Sequence, residues 1–218
     1  PIMTLSVGLP ETFDLQGVFV LGPARRVGDS LVYPARIGPD RVQLREYWPA
    51  DLFYRTAGHG AVPVQAALDE PLGAGRERFT GVTRALEAFA HPFTPPSTGF
   101  EANGTAYRVT RTGRRTLGEI LAYGETLPGK AILRLAAALA DALEAVHAAG
   151  FLHLDVQPHT VAPGDDGVEL TGFSTDRRPL MKPAGRQDGL VTPGYSPIEL
   201  HDGTAQDALG PYTDIHAA

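Results

Sequence analysis

The chain changes its hydrophobic period partway along. In the first half, apolar residues fall in short alternating runs bounded by Gly, Pro and Asp, which is a strand pattern. "GVFVLG" (17–22), "SLVYPARI" (30–37) and "RVQLREYWP" (41–49) are three such runs. In the third, Val42 and Leu44 face one way and Gln43 and Arg45 the other. "PARRVGD", between the first two, predicts a turn. From Glu77 to Ala90 the period lengthens: Phe79, Val82, Leu86 and Phe89 recur at helical spacing, with Gly81 weakening that helix by about 1 kcal/mol. Asn103-Gly104 then predicts a tight hairpin leading into another alternating strand.

The second half reads as helical. Thr116 with Glu119 three residues later forms a capping box, so "TLGEILAYG" predicts a short helix ended by Gly124. "AILRLAAALADALEAVHAAG" predicts a long helix whose buried stripe is Ile132, Leu135, Leu139, Leu143 and Val146, stopped by Gly150. Two short strands around "PGDDG" follow, and then a Gly/Pro-rich segment over 179–197. The composition shifts near 112–116, which predicts a strand-rich unit over 1–111 and a mainly helical one over 112–218.

Composition narrows the functional classes. The 218 residues, 43% hydrophobic and 20% charged, suit one large domain or two small lobes with a real core. No apolar run reaches the roughly 18 residues of a membrane span, and the first residues lack the pattern of a secretory signal. A cytoplasmic location without direct membrane contact is expected. The absence of cysteine excludes disulfides, thiolate nucleophiles and Cys-ligated zinc. A net charge of −6 argues against a general nucleic-acid binder.

Five stretches, in order, resemble the protein kinase pattern of a group of bacterial Ser/Thr kinases. "VQLREYWPADLFYR" looks like the strand that reads roughly V-A-I-K-E-Y-F-P in those proteins. "VHAAGFLHLDVQPHTV" is similar to the helix end and catalytic loop H-R-D-x-K-P-x-N. "ELTGFS" falls where D-F-G belongs, "VTPGYSPIEL" resembles T-P-G-Y-x-P-P-E, and "GPYTDIHA" resembles the start of the next helix, which carries an Asp. The resemblance implies an α+β, two-lobed protein kinase-like fold with a strand-rich N-lobe and a mainly helical C-lobe that ends early.

The same resemblance implies a chemistry that the residues here do not supply. Phosphoryl transfer in kinases needs a strand Lys and a helix Glu to hold phosphates. It also needs an Asn and the D-F-G Asp to hold Mg²⁺, and a loop Asp to orient the attacking hydroxyl. Arg45 stands at the Lys position, where a solvated strand residue and a residual phosphate role are both open readings, and Val82 stands at the Glu position. "GPARRVG" (22–28) replaces the glycine-rich loop. The catalytic loop keeps His153, Asp155 and Pro158, but Leu154, Gln157 and Thr160 replace its Arg, Lys and Asn. Gly172 replaces the D-F-G Asp, while Phe173 remains as a core residue. His153 is expected to pack on that segment and bond backbone, and His147 to pack on the long helix. Pro193, Gly194, Tyr195 and Glu199 are scaffold.

The resulting expectation is a pseudokinase: no ATP, metal or other cofactor, and a regulatory role through a protein partner such as a kinase, a phosphatase or another domain of a longer chain. The vacant nucleotide site is expected to fill with the protein's own side chains, with Arg25, Arg26 or Arg45 pairing with Asp155. Two enzymatic alternatives stand beside it. One is a divergent active kinase using Asp165, Asp166 or Glu169 as substitute metal ligands. The other is a metal hydrolase using His153, Asp155 and His159.

Overall fold

The computed structural model describes residues 7–89, 91–111, 113–164, 167–173, 191–201 and 209–218. Contacts divide the chain into two compact units, Pro1–Ala88 with Pro96–Gly113, and Phe89–Pro95 with Arg114–Ala218. The segment Phe89–Pro95, given to the first unit by the sequence pattern, thus packs with the second. The Phe89 ring lies 5.6 Å from Phe151, and the Phe93 carbonyl accepts the Leu170 amide at 2.7 Å.

The first unit holds strands β1 (Asp14–Leu15), β2 (Val18–Val20), β3 (Arg25–Val27), β4 (Ser30–Ile37), β5 (Asp40–Tyr47), β6 (Phe53–Arg55), β7 (Ala61–Pro63), β8 (Ser97–Ala102) and β9 (Thr105–Arg111). It also holds helix α1 (Asp69–Phe89), up to Ala88. One antiparallel sheet runs β1-β2-β4-β5-β9-β8, with β3 also on β4, while β6 and β7 form a separate hairpin. The stretch expected as a turn, 23–29, contains β3. Arg25, Arg26 and Val27 extend the ladder along Val32, Leu31 and Ser30, which leaves only Gly28 and Asp29 as the turn. Asn103 (φ 51°) and Gly104 (φ 77°) close the β8–β9 hairpin as their sequence predicts. A Cβ on Gly104 would lie 2.5 Å from the Ala61 carbonyl oxygen, so the site takes only glycine.

Helix α1 begins eight residues before the expected start. Pro71 and the glycines at 73 and 75 hide it in the sequence. Proline is tolerated in a first turn, however, because its missing N–H would have no intrahelical partner there. The buried stripe is Leu72, Gly75, Phe79, Thr83 and Leu86, with Val82 beside it and half-buried.

The two faces of the sheet are unlike. One carries the apolar core, including Leu15, Val20, Tyr33, Leu44, Trp48 and Val109. Buried in it is Glu46, whose carboxylate accepts Tyr33 Oη (2.5 Å), Tyr107 Oη (2.8 Å) and Arg55 Nη2 (2.7 Å). Arg55 also donates to the carbonyls of Val7 (2.7 Å) and His59 (3.0 Å) and lies 4.1 Å from the Trp48 ring centroid. The other face is polar. Arg45 and Arg108 oppose each other across β5 and β9 and are 5% and 2% exposed. Arg45 is therefore buried, not solvated as its charge suggested. A period-two face covered by a helix is sealed whatever residue it carries.

The second unit holds α2 (Leu117–Ala122), α3 (Gly129–Ala148), β10 (Val161–Gly164), β11 (Gly167–Leu170), α4 (Ile198–His201) and α5 (Pro211–Ala217). The capping box forms as expected: Thr116 N donates to Glu119 Oε2 (2.7 Å), and Glu119 N to Thr116 Oγ1 (3.2 Å). On α3, Leu139, Leu143 and Val146 are buried with Ala142, but Ile132 is 52% exposed. Helix α3 packs on β11 and α5, and its buried residues all lie in its second half. Asp165 and Asp166, and residues 179–190 of the Gly/Pro-rich segment, lie outside the described residues.

These buried groups set an alkaline response. Burial, then the Glu46 charge, raises the Tyr33 and Tyr107 hydroxyls well above the ordinary phenol range. Burial, then Arg45, lowers Arg108 to about 9. Between pH 9 and 10 the folded state releases an Arg108 proton that the unfolded chain keeps, so stability rises. Above pH 10 both tyrosines ionise in the unfolded chain alone. Two protons then outweigh one, and stability falls by a net of about 1.4 kcal/mol per pH unit. Urea midpoints from pH 8 to 11 are expected to show this reversal, and a Tyr33→Phe/Tyr107→Phe variant to lose it. Identical slopes in the two proteins would overturn the assignment.

Candidate functional site

The expected catalytic loop lies in the second unit, between α3 and β10, and one carboxylate organises it. Asp214, on α5 and 1% exposed, accepts the backbone amides of His153 (Oδ2, 2.8 Å) and Leu154 (Oδ1, 2.6 Å). Its Oδ2 also meets His147 Nε2 at 2.8 Å, which ties the end of α3 to α5. Two N–H groups pointing at one carboxylate require a sharp bend, and Leu154 takes φ 60° to make it. A non-glycine residue in that region costs about 1–3 kcal/mol, a strain held in place by the charge-assisted bonds.

His153 is fully buried, with both ring nitrogens engaged. Nδ1 accepts the Asp155 amide (3.2 Å), so Nε2 carries the proton and donates to the Thr171 carbonyl (2.8 Å). Its ring lies 4.4 Å from that of Phe173, which is 4% exposed. His153 and Phe173 thus have the packing roles expected of them. Asp155, also buried, accepts Gln157 Nε2 (2.9 Å) and Thr192 Oγ1 (3.2 Å) at Oδ1. Gln157 and Thr192 act together on Asp155, which sequence spacing gave no means of seeing.

Thr160 closes the loop on itself. Its hydroxyl accepts the Gln157 amide (3.1 Å) and lies within donating distance of the carbonyls of Asp155 (2.7 Å) and Gln157 (3.0 Å). Its backbone carbonyl accepts Thr171 N at 2.8 Å. Gly172 follows at φ 76° with no side chain to offer. These residues do not fit a magnesium–nucleotide centre: the Thr160 hydroxyl is committed to the loop, and the adjoining position has no carboxylate. Glu169, considered as a substitute ligand, lies on β11 with Oε1 3.4 Å from Arg114 Nε. His159 packs over Gly118, where no Cβ would fit, and the Pro158 carbonyl accepts the Gly118 amide at 2.7 Å. Among the described residues no three His, Asp or Glu side chains group as a metal site. Glu199 Oε1 accepts Thr213 Oγ1 at 3.0 Å. A cavity beside Asp155, lined by Thr192, Tyr195, Pro197 and Thr213, measures about 10 Å³, room for one water at most.

In the first unit, Arg25 and Arg26 are exposed on β3, so of the three arginines expected to fill the nucleotide site only Arg45 is buried. Val82, at the position of the helix Glu, brings no charge to α1. Glu77 and Glu87 do not replace it: both are exposed, and Glu87 Oε1 accepts the Gly99 amide at 2.8 Å. Arg108 was missed from the sequence. Its signal was the alternation of β9, which places it on the same face as Arg45 once the strands are paired.

Asp214→Asn keeps one acceptor but turns an amide donor toward the second N–H. It is expected to cost about 2–3 kcal/mol in urea unfolding and to speed exchange of the His153 and Leu154 amides. A loss below about 0.5 kcal/mol would show that the loop is held elsewhere.

No protein-family model matches the chain. Over 91 residues, 41% of the chain, it is 34% identical to the Thermomonospora curvata protein named "Probable serine/threonine-protein kinase PkwA", and the match spans 12% of that protein. A solved structure named "PpkA-294 apo form" aligns over 97% of this chain and 76% of its own, with a TM-score of 0.75 and 25% identity. A mutant PknI kinase domain from Mycobacterium tuberculosis aligns over 96% and 73%, with a TM-score of 0.58 and 20% identity. The chain has the protein kinase-like fold, α+β, with a strand-rich sheet in one unit and helices in the other.

Proposed function

We propose that the chain is a catalytically inactive kinase-like domain that serves as a protein-interaction or regulatory module. The observation that carries this reading is the pair Thr160 and Gly172. At the two positions where the resemblance implies metal ligands, one side chain staples the loop and the other does not exist. ATP brings four negative charges, which would lack a counterion beside the buried Asp155 in a chain of net charge −6. The retained residues support the same reading, because His153, Asp155, Phe173 and Asp214 all have structural partners.

A divergent active kinase is the second reading, and it rests on the retention of Asp155 in a fixed orientation. Nucleotide binding separates the two. With about 1 mM ATP, a site of 10 μM affinity would stabilise the protein by RT ln(1 + 100), roughly 2.7 kcal/mol. No thermal shift is expected with or without Mg²⁺, and no phosphate transfer to itself or to generic substrates. A metal-dependent shift of that size, or transfer abolished by Asp155→Asn, would favour the active kinase.

Restoring the two ligands is expected to leave the protein inactive. In Thr160→Asn/Gly172→Asp, Arg45 and Val82 still misplace the phosphates, and groups that act as a unit do not add. Efficient phosphorylation by that double variant would show that the first unit is competent after all.

A further inference from the structure

The polar face of the sheet in the first unit carries more positive charge than its position explains. Arg45 and Arg108 are directly opposed, both sealed from water, and like charges in that relation destabilise a sheet. Arg108 also lies 5.7 Å from the Phe79 ring of α1. A neutral residue at either position would remove the conflict, so the pair implies an anion.

One anionic side chain belongs to the same cluster. Asp29 is the second residue of the two-residue turn that joins β3 to β4. The turn is fixed from both sides: Gly28 takes φ 58°, and the Asp29 carbonyl accepts the Trp48 amide at 2.7 Å, which clamps the turn to the end of β5. The next residue, Ser30, pairs with Tyr47, and Val32 pairs with Arg45. Strand alternation therefore sets Ser30 on the arginine face, and its hydroxyl donates to Asp29 Oδ1 at 2.9 Å. Asp29 is also the group that raises the proton affinity of Arg108 against the effects of burial and Arg45.

We propose that Arg45 and Arg108 form an anion site of the phosphate or polyphosphate class, and that the Asp29 carboxylate occupies it as a built-in substitute for the ligand. This rests on the reading of the chain as a kinase-like domain that takes no nucleotide, and it gives that reading a cause in the first unit. The turn that closes the stretch standing in place of a glycine-rich loop, 22–28, carries that carboxylate at its next residue. An exposed lysine in place of Arg45 would release such a carboxylate to water. A planar guanidinium pair under a helix offers such a carboxylate several donors in fixed directions.

The test uses inorganic tripolyphosphate without metal, at constant ionic strength, against the whole chain. The unsubstituted protein is expected to show no saturable thermal shift. Asp29→Asn, which empties the site of charge, is expected to gain one, and Asp29→Asn/Arg108→Met to lose it again. A folded Asp29→Asn variant that binds no tripolyphosphate, or whose binding survives Arg108→Met, would overturn the proposal. A double-mutant cycle covers the case in which Asp29→Asn folds poorly. Asp29→Asn is expected to raise the unfolding equilibrium constant at least tenfold in the Arg108 protein and by less than twofold in the Arg108→Met protein. Equal losses in both backgrounds would overturn the proposal by a second route. Binding of Mg²⁺–ATP by the unsubstituted protein would instead count against the inactive-kinase reading, so the two failures are distinct.

Discussion

Two adjacent residues of β5, Arg45 and Glu46, bear opposite charges, point to opposite faces of one sheet, and are both buried. The sheet lies between them, so they cannot neutralise each other. Each face must supply its own counter-charge, and the rest of the first unit is arranged around that demand. On the core face, Glu46 draws in the β6–β7 hairpin through Arg55 and two strands through Tyr33 and Tyr107. Arg55 in turn fixes the backbone at Val7 and His59. Removing one partner would strand a charge in a low dielectric, at about 3–5 kcal/mol, whereas the intact set satisfies three acceptor positions on one carboxylate.

The second unit follows the same logic with a single hub. Asp214 draws together a helix end, a bent loop and a second helix, and the bend at Leu154 exists because the carboxylate rewards it. Thr160 then closes the loop from inside. The residues that kinase chemistry would use and the residues that hold the loop are neighbours in space. Thr160 stands at one of the first positions, and its hydroxyl does the second task.

Much of this was legible in the sequence where local rules act alone. Asn103-Gly104, the Thr116–Glu119 box and the alternation of β4, β5 and β9 specify their own geometry within a few residues. Charged residues inside a sealed sheet were not legible. A period-two pattern assigns Arg45, Glu46 and Arg108 to faces, but only strand pairing shows that both faces are covered. The start of α1 was hidden because Pro71 and two glycines lower local propensity, while packing through Leu72 and Phe79 overrides it. Ile132 shows the opposite error: a stripe continued by periodicity into turns that nothing described packs against. In the loop, the resemblance singled out Thr160 as a position, but its bonds to the carbonyls of Asp155 and Gln157 emerged only from the structure.

Trp48, the single tryptophan, lies against the Arg55 guanidinium and 5.4 Å from Phe53, deep in the core of the first unit. Its indole emission is therefore a native optical reporter of the Glu46 hub, sensitive to that guanidinium. Fluorescence-detected melting follows one unit, and circular dichroism, dominated by the helices, weights the other. Overlaying the two traces measures directly whether the halves of this molecule unfold as one cooperative body or in sequence.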